Sequence, residues 1–291
     1  MPNAWPCNKD IEYRKVEGKP LRFDFYRLPP AEKPEALPVV ILMNGFGDPK
    51  MKEQNYQQEW ARLLAAAGFC GVTFESHQGG IGEDLDLLVA HLREQQAKLR
   101  VGADRIVVHA SSGHAFYGLP IFMDKKRTYL KGAVIYFGAG EVKEFRADLP
   151  ILFVRVGLDQ PGLNRDIDKL VARALEVSAP VELISYPGGH HPFEFSDDND
   201  LSRAVIAQTI DFMRKAVSPG VQEAIRATSD EAAAGAALMM ENWQAAIDGY
   251  GKLVAQRSND FELHRRYGDA LFGAKEYARA LQAYEQSYAL G

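Results

Sequence analysis

Two periodicities divide this chain. Short, almost wholly apolar runs recur at 39–43, 70–74, 106–108, 134–137, 151–156 and 181–185, as expected of strands buried on both faces. Helical spacing over 54–67, 85–99, 115–123 and 165–177 separates most of them, and such βα alternation predicts a doubly wound, mostly parallel α/β sheet. Upstream, Leu21-Arg-Phe-Asp-Phe25 alternates apolar with polar, and 11–16 joins it through Glu17-Gly-Lys-Pro20; this predicts an antiparallel hairpin at one edge. A helix over 201–217 closes the unit. Ser218-Pro-Gly220 reads as a break, so the first domain is expected to span 1–218.

Beyond the break, residues 219–291 carry helical spacing and an internal period. Trp243, Ala246 and Tyr250 recur 34 residues later as Tyr277, Ala280 and Tyr284, and Ala234 and Ala237 recur in the same register as Gly268 and Leu271. Small residues where helices cross, with aromatics between them, resemble the tetratricopeptide repeat over about 224–291. The proline expected late in the first repeat is missing, Ser258 standing near its place. Two helix pairs fall short of the three or more repeats that usually bury a continuous core. This all-α module is therefore expected to lean on the first domain, on a second copy as a homodimer, or on a protein partner.

Composition narrows the chemistry. The 291 residues are 46% hydrophobic and 25% charged with a net charge of −5, which suits a globular protein and gives no basic surface for nucleic acid. No apolar run approaches the ~18 residues that cross a membrane, and Met1-Pro-Asn-Ala-Trp-Pro-Cys-Asn lacks the regions of a signal peptide. A cytoplasmic location is the resulting expectation. Cys7 and Cys70 make no disulfide framework. No metal-ligand motif stands among the seven histidines, so no metal or other cofactor is expected.

Three strand-to-loop junctions carry the candidate chemistry. Arg105-Ile-Val-Val-His-Ala-Ser-Ser-Gly-His-Ala115 runs an apolar strand into two serines; Val156-Gly-Leu-Asp159 and Tyr186-Pro-Gly-Gly-His-His-Pro-Phe193 follow later strands. A serine hydroxyl becomes a useful nucleophile when a histidine takes its proton and a carboxylate fixes that histidine's tautomer. With Ser111 as nucleophile, the G-x-S-x-G pattern has its second glycine at Gly113 but His109 at the first; with Ser112, Ala110 and His114 fill the two positions. The first frame is favoured here, and a plain helix-capping role stands as the bland alternative. Asp159 is the candidate acid. His190 and His191 compete as base; Pro192 restricts the backbone of His191, which favours the latter. Glu75 and His77 could equally rim the pocket or face solvent.

Serine, acid and histidine in that chain order are the order of the α/β-hydrolases, and residues 36–217 resemble the dienelactone hydrolase branch of that superfamily. Its Tyr-Pro-x-x-x-His-x-Phe pattern maps onto Tyr186, Pro187, His191 and Phe193, and its acid loop onto 155–164 with Asp159. The resemblance implies Ser111, His191 and Asp159 as catalytic groups. It also relates Asn44-Gly-Phe-Gly47 to the superfamily's His-Gly-x-Gly turn, so that the oxyanion donors would be the backbone N–H groups of Phe46 and Ser112. The prototype enzymes use cysteine where this chain has serine. A serine hydrolase acting on a small acyl substrate, ester or lactone, is therefore expected. A peptidase or thioesterase on the same fold, or a pseudo-hydrolase acting as a scaffold, are the rivals. Only about a dozen residues separate 137 from 151, too few for a large lid.

Overall fold

The computed structural model describes residues 7–28 and 36–291, with backbone alone over 221–229; residues 1–6 of the N-terminal segment lie outside the described residues. Among the described residues, eight strands form one sheet: β1 (Cys7–Val16), β2 (Lys19–Tyr26), β3 (Leu37–Leu42), β4 (Cys70–Phe74), β5 (Val101–Ser111), β6 (Leu130–Tyr136), β7 (Ile151–Val156) and β8 (Val181–Tyr186). Their order is β1-β2-β4-β3-β5-β6-β7-β8. The β1–β2 and β2–β4 pairs are antiparallel and the rest parallel. The hairpin thus sits at one edge, and its turn places Glu17 and Gly18 at positive φ.

Alternation along the central strands sends side chains to two separate cores. Val39, Ile41 and Met43 join one face, with Leu85, Leu88 and Leu92 of helix α2 (Ile81–Glu94). Val40 and Leu42 join the other, with Trp60, Ala61 and Leu64 of α1 (Asn55–Ala66). A side chain fully buried in either core contributes about 1.5–3 kcal/mol relative to exposure. The run 181–185 departs from the expectation of burial on both faces. β8 is an outer strand, and Glu182, Leu183 and Ser185 are exposed.

Boundaries moved where charge occupies a core-facing position. The helix expected over 85–99 starts at Ile81 and stops at Glu94, and a separate turn α3 (Gln96–Leu99) ends on Arg100 at φ 55°. Its first turn was illegible because buried Asp84 is held by Arg14 at 2.8 Å and by the His77 ring at 2.7 Å. That bond also accounts for His77. The segment between β6 and β7 carries no helix. Buried Arg146 pins it by a two-pronged pair with Asp148 at 3.0 and 2.6 Å and by donating to the Phe122 and Arg127 carbonyls.

Helices α4 (Gly113–Phe122), α5 (Pro161–Glu176), α6 (Phe193–Ser196) and α7 (Asp200–Ala216) complete this part of the chain. Four more follow: α8 (Pro219–Met239), α9 (Trp243–Gln256), α10 (Phe261–Gly273) and α11 (Tyr277–Leu290). The chain separates into two compact units, Met1–Val221 and Gln222–Gly291. The helical unit has its own core of Ala234, Ala246, Tyr250, Leu271 and Ala280. Of the 34-residue correspondences, Ala234, Ala246, Tyr250, Gly268 and Ala280 are buried and Ala237 is half-buried, whereas Tyr277 is exposed. Among the described residues, no helix is long and apolar enough to cross a membrane.

The loop after β3 is anchored from below. It leads through a 3-10 turn, Pro49–Glu53, whose buried Lys52 reaches Asp10 at 2.7 Å and buried Asp24 at 3.2 Å, with Glu75 at 3.9 Å. Glu75 is thus committed to the fold, and its carboxyl also accepts the Arg22 N–H at 2.9 Å. Removing one partner of a buried pair strands the other. Lys52→Met is therefore expected to destabilise the protein by about 3–5 kcal/mol in urea denaturation, and adding Asp24→Asn should restore a large part of the loss.

Candidate active site

The parallel ladder ends three loops at the same edge of the sheet. β5 remains a strand through Ser111, whose Cα is registered against Tyr136 of β6. The chain then turns at Ser112, which adopts φ 51° and ψ −131° before α4 begins at Gly113. A side-chain-bearing residue held there costs about 1–3 kcal/mol and persists only where its surroundings enforce it. The Ser112 N–H donates to the Tyr136 carbonyl at 2.9 Å, and the Ser112 carbonyl accepts from Ala115 at 3.0 Å.

This turn decides between the serines. Ser112 Oγ lies 2.9 Å from His191 Nε2, and His191 Nδ1 lies 2.7 Å from Asp159 Oδ2. The structure brings Asp159 and His191 together with Ser112, not with Ser111. Ser111 still follows the strand's alternation; Ser112 has left it and projects toward the neighbouring loops. The expectation of Ser111 is corrected accordingly. The expected Ser112 N–H donor is corrected too, since that group is spent on Tyr136. The next N–H belongs to Gly113, the first residue of α4, where a helix offers no internal acceptor.

Asp159 and His191 are held as a unit. The Gly157 N–H donates to Tyr186 O at 2.8 Å, Leu158 N–H to Gly189 O at 3.0 Å, and Gly189 N–H to Tyr186 O at 3.0 Å. A Cβ on Gly157 would stand 2.0 Å from the Pro187 carbonyl, so only glycine allows this approach. The carboxylate accepts from Nδ1, which leaves Nε2 of the neutral ring free to accept from the serine hydroxyl. Phe137 sets its ring against the imidazole at a tilt, with centroids 4.3 Å apart. His190 points elsewhere: its ring and its N–H both bond Asp197, at 2.6 and 3.0 Å.

His109 and His114 straddle the serines but differ in use. His109 stands within β5, its ring packed against Trp60 and Tyr136, each ring centroid 4.8 Å away. It is a core residue and no part of the turn. His114 holds the position where the motif has its last glycine. Its Nδ1 accepts the Gly45 N–H at 2.9 Å, so its neutral ring carries the proton on Nε2, 2.8 Å from Tyr56 Oη. Tyr56 donates in turn to Met51 Sδ at 2.9 Å. The missing side chain has changed places: a Cβ on Gly45 would come within 2.9 Å of His114 Cα. Phe46, next to Gly45, sets its ring against Gly113 and against His114, centroids 4.6 Å apart.

Above the serine is an open cavity of about 340 Å³, walled by Phe46, Tyr56, Phe137, Glu194 and Phe195. Sequence reasoning missed Tyr56 and Glu194. Tyr56 is one of several polar positions on α1, and Glu194 follows the His-Pro-Phe run without any spacing that marks it.

No family model matches the chain, and no curated protein does. Solved structures match in fold. An α/β hydrolase, MGS-M1, from a Medee basin deep-sea metagenome shares 12% identity over 73% of this chain and 99% of its own, at a TM-score of 0.60. A fungal esterase from Rhizomucor miehei shares 16% over 72% and 84%, at 0.58. A protein assigned as a dienelactone hydrolase from Klebsiella pneumoniae subsp. pneumoniae shares 16% over 72% and 98%, at 0.53. The first part of the chain has the α/β-hydrolase fold.

Burial pushes His109 down to about 3 and His114 down to about 4. In the unfolded chain both titrate near 6.5, so between about 4 and 6.5 the unfolded state binds more protons and stability falls as pH drops. The combined slope approaches two protons, about 2.7 kcal/mol per pH unit. Urea denaturation from pH 7 to 4.5 should show this limb, and His109→Phe should remove about one proton from it.

Proposed function

We propose that the chain is a serine hydrolase that cleaves ester or lactone-type acyl bonds, with Ser112 as nucleophile, His191 as general base and acid, and Asp159 as the carboxylate that orients it. The observation that carries this reading is the bonded series Ser112 Oγ, His191 Nε2, His191 Nδ1, Asp159 Oδ2 at a strained residue facing a cavity. The likeness in fold to esterases supports it.

In this reading Ser112 Oγ attacks the acyl carbon while its proton passes to His191 Nε2. The tetrahedral oxyanion is held by the N–H groups of Gly113 and Phe46. His191, charged and facing Asp159, gives the proton to the departing alkoxide, leaving an acyl-Ser112. Water then attacks with His191 again as base, and the acid departs. Losing one oxyanion donor raises such a barrier by roughly 3–4 kcal/mol. The bond from Gly45 to His114 sets the peptide next to Phe46, so His114 acts as a positioning residue for that donor. The short segment between β6 and β7 supplies no helical lid, which suits small soluble acyl groups.

The helices α8 to α11 are read as two tetratricopeptide-like pairs that bind a protein partner or a second copy. None of the groups assigned to the chemistry lies in them.

On p-nitrophenyl butyrate, Ser112→Ala and His191→Ala are each expected to lower kcat by at least ~10³-fold, while Ser111→Ala and His190→Ala lose less than about tenfold. Full activity in Ser112→Ala would overturn the assignment. Truncation after Ser218 should retain turnover of the same ester; a folded but inactive truncation would mean that the helical unit completes the site.

A further inference from the structure

Among the described residues, Glu194 is the one acidic side chain that lines the cavity above Ser112. It stands in the short helix α6 directly after the His191 loop, next to Phe193, which is fully buried. Its Oε2 is shielded from solvent and has no hydrogen-bond partner. The donors that favour its charged form, the Trp60 side chain and its own backbone N–H, are both neutral, and no cation of the described residues answers it. A buried carboxylate in that state is costly, because its desolvation is only partly offset. The other lining groups are neutral or already engaged. His114 is held between Gly45 and Tyr56, and His191 between Asp159 and Ser112.

The surroundings are aromatic. Tyr56 and Phe195 meet edge to face at 6.2 Å, and Phe46 and Phe137 complete the walls. A carboxylate among aromatic faces is the chemistry that receives a desolvated ammonium: the oxygen accepts its N–H, and the ring faces attract its charge. We propose that this cleft selects acyl substrates that carry a protonated amine, with Glu194 as the group that binds it. The proposal rests on the hydrolase reading for the bond cleaved, but not for the binding itself. Burial pushes the Glu194 carboxyl up to about 7. It therefore yields its proton readily near neutrality, and a bound cation favours the ionised form.

Matched esters test this. 2-(Dimethylamino)ethyl acetate and 3-methylbutyl acetate share one heavy-atom skeleton, with N–H⁺ in the first where the second has C–H. 3-Hydroxybutyl acetate adds an uncharged donor of similar size. At pH 7.5 the native protein should favour the amine ester over the carbon isostere by at least about tenfold in kcat/KM, and over the hydroxyl ester as well. Calorimetric binding to Ser112→Ala should give the same order without turnover. Glu194→Gln should bring the amine-to-carbon ratio to within about twofold, and because each ratio is taken on one preparation, partial unfolding cancels. A native ratio near one, a ratio that survives Glu194→Gln, or a preference for the hydroxyl ester overturns the proposal. If no ester is hydrolysed, the hydrolase reading fails and the binding order still decides this one.

Discussion

The reversal of the chain at Ser112 is the constraint on which the site depends. A strand must become a helix within one residue, and that residue carries a side chain at a positive φ. The conformation survives because both of its peptide neighbours are already committed: the N–H to β6 and the carbonyl to the first turn of α4. The strand below is buried on both faces and cannot slide to relieve it, since a one-residue slip would exchange the two cores. Strain at the tip is thus supported by packing throughout the sheet.

The space around that tip is shared out between distant parts of the chain. A compact reversal needs room on its flank, and a glycine two positions on is the common way to supply it. Here the bulk sits at His114 and the room is made across the gap, at Gly45. The exchange adds a bond that glycine could not make, from the Gly45 N–H to the imidazole. Since the ring is buried, it stays neutral and keeps an acceptor available where a charged ring would have none. Below the same loop, Lys52 ties the 3-10 turn to the antiparallel edge. The wall opposite the serine therefore rests on charges drawn from β1 and β2.

Much of this was legible in the chain. Apolar runs bounded by helical spacing located the strands, because strands buried on both faces have little choice of residue. The order of serine, acid and histidine loops pointed to one end of the sheet. Asp159 and His191 followed from position relative to strands and from Pro192. The choice between Ser111 and Ser112 was not legible by the same means. The motif tests for small residues along the chain, whereas the space that matters here was cleared at Gly45, about seventy residues away in sequence. The start of α2 was hidden for a related reason: Asp84 is buried by pairing with Arg14 and His77, and a hydrophobic pattern cannot register a residue buried by its charge. Glu194 left no trace because a lone carboxyl beside a cavity has no periodic neighbour.

The paired loops that hold Asp159 and His191 follow β7 and β8, and β8 is an outer strand with one neighbour and exposed side chains. Outer strands open with less free energy than the centre of a sheet. His191 is therefore carried by a peripheral part of the domain, while Ser112 follows a central strand. Warming would release the imidazole from the serine before the two cores disperse. Loss of the contact between Ser112 and His191 on heating would then report fraying at one border of the sheet and would set in below the temperature at which the domain melts.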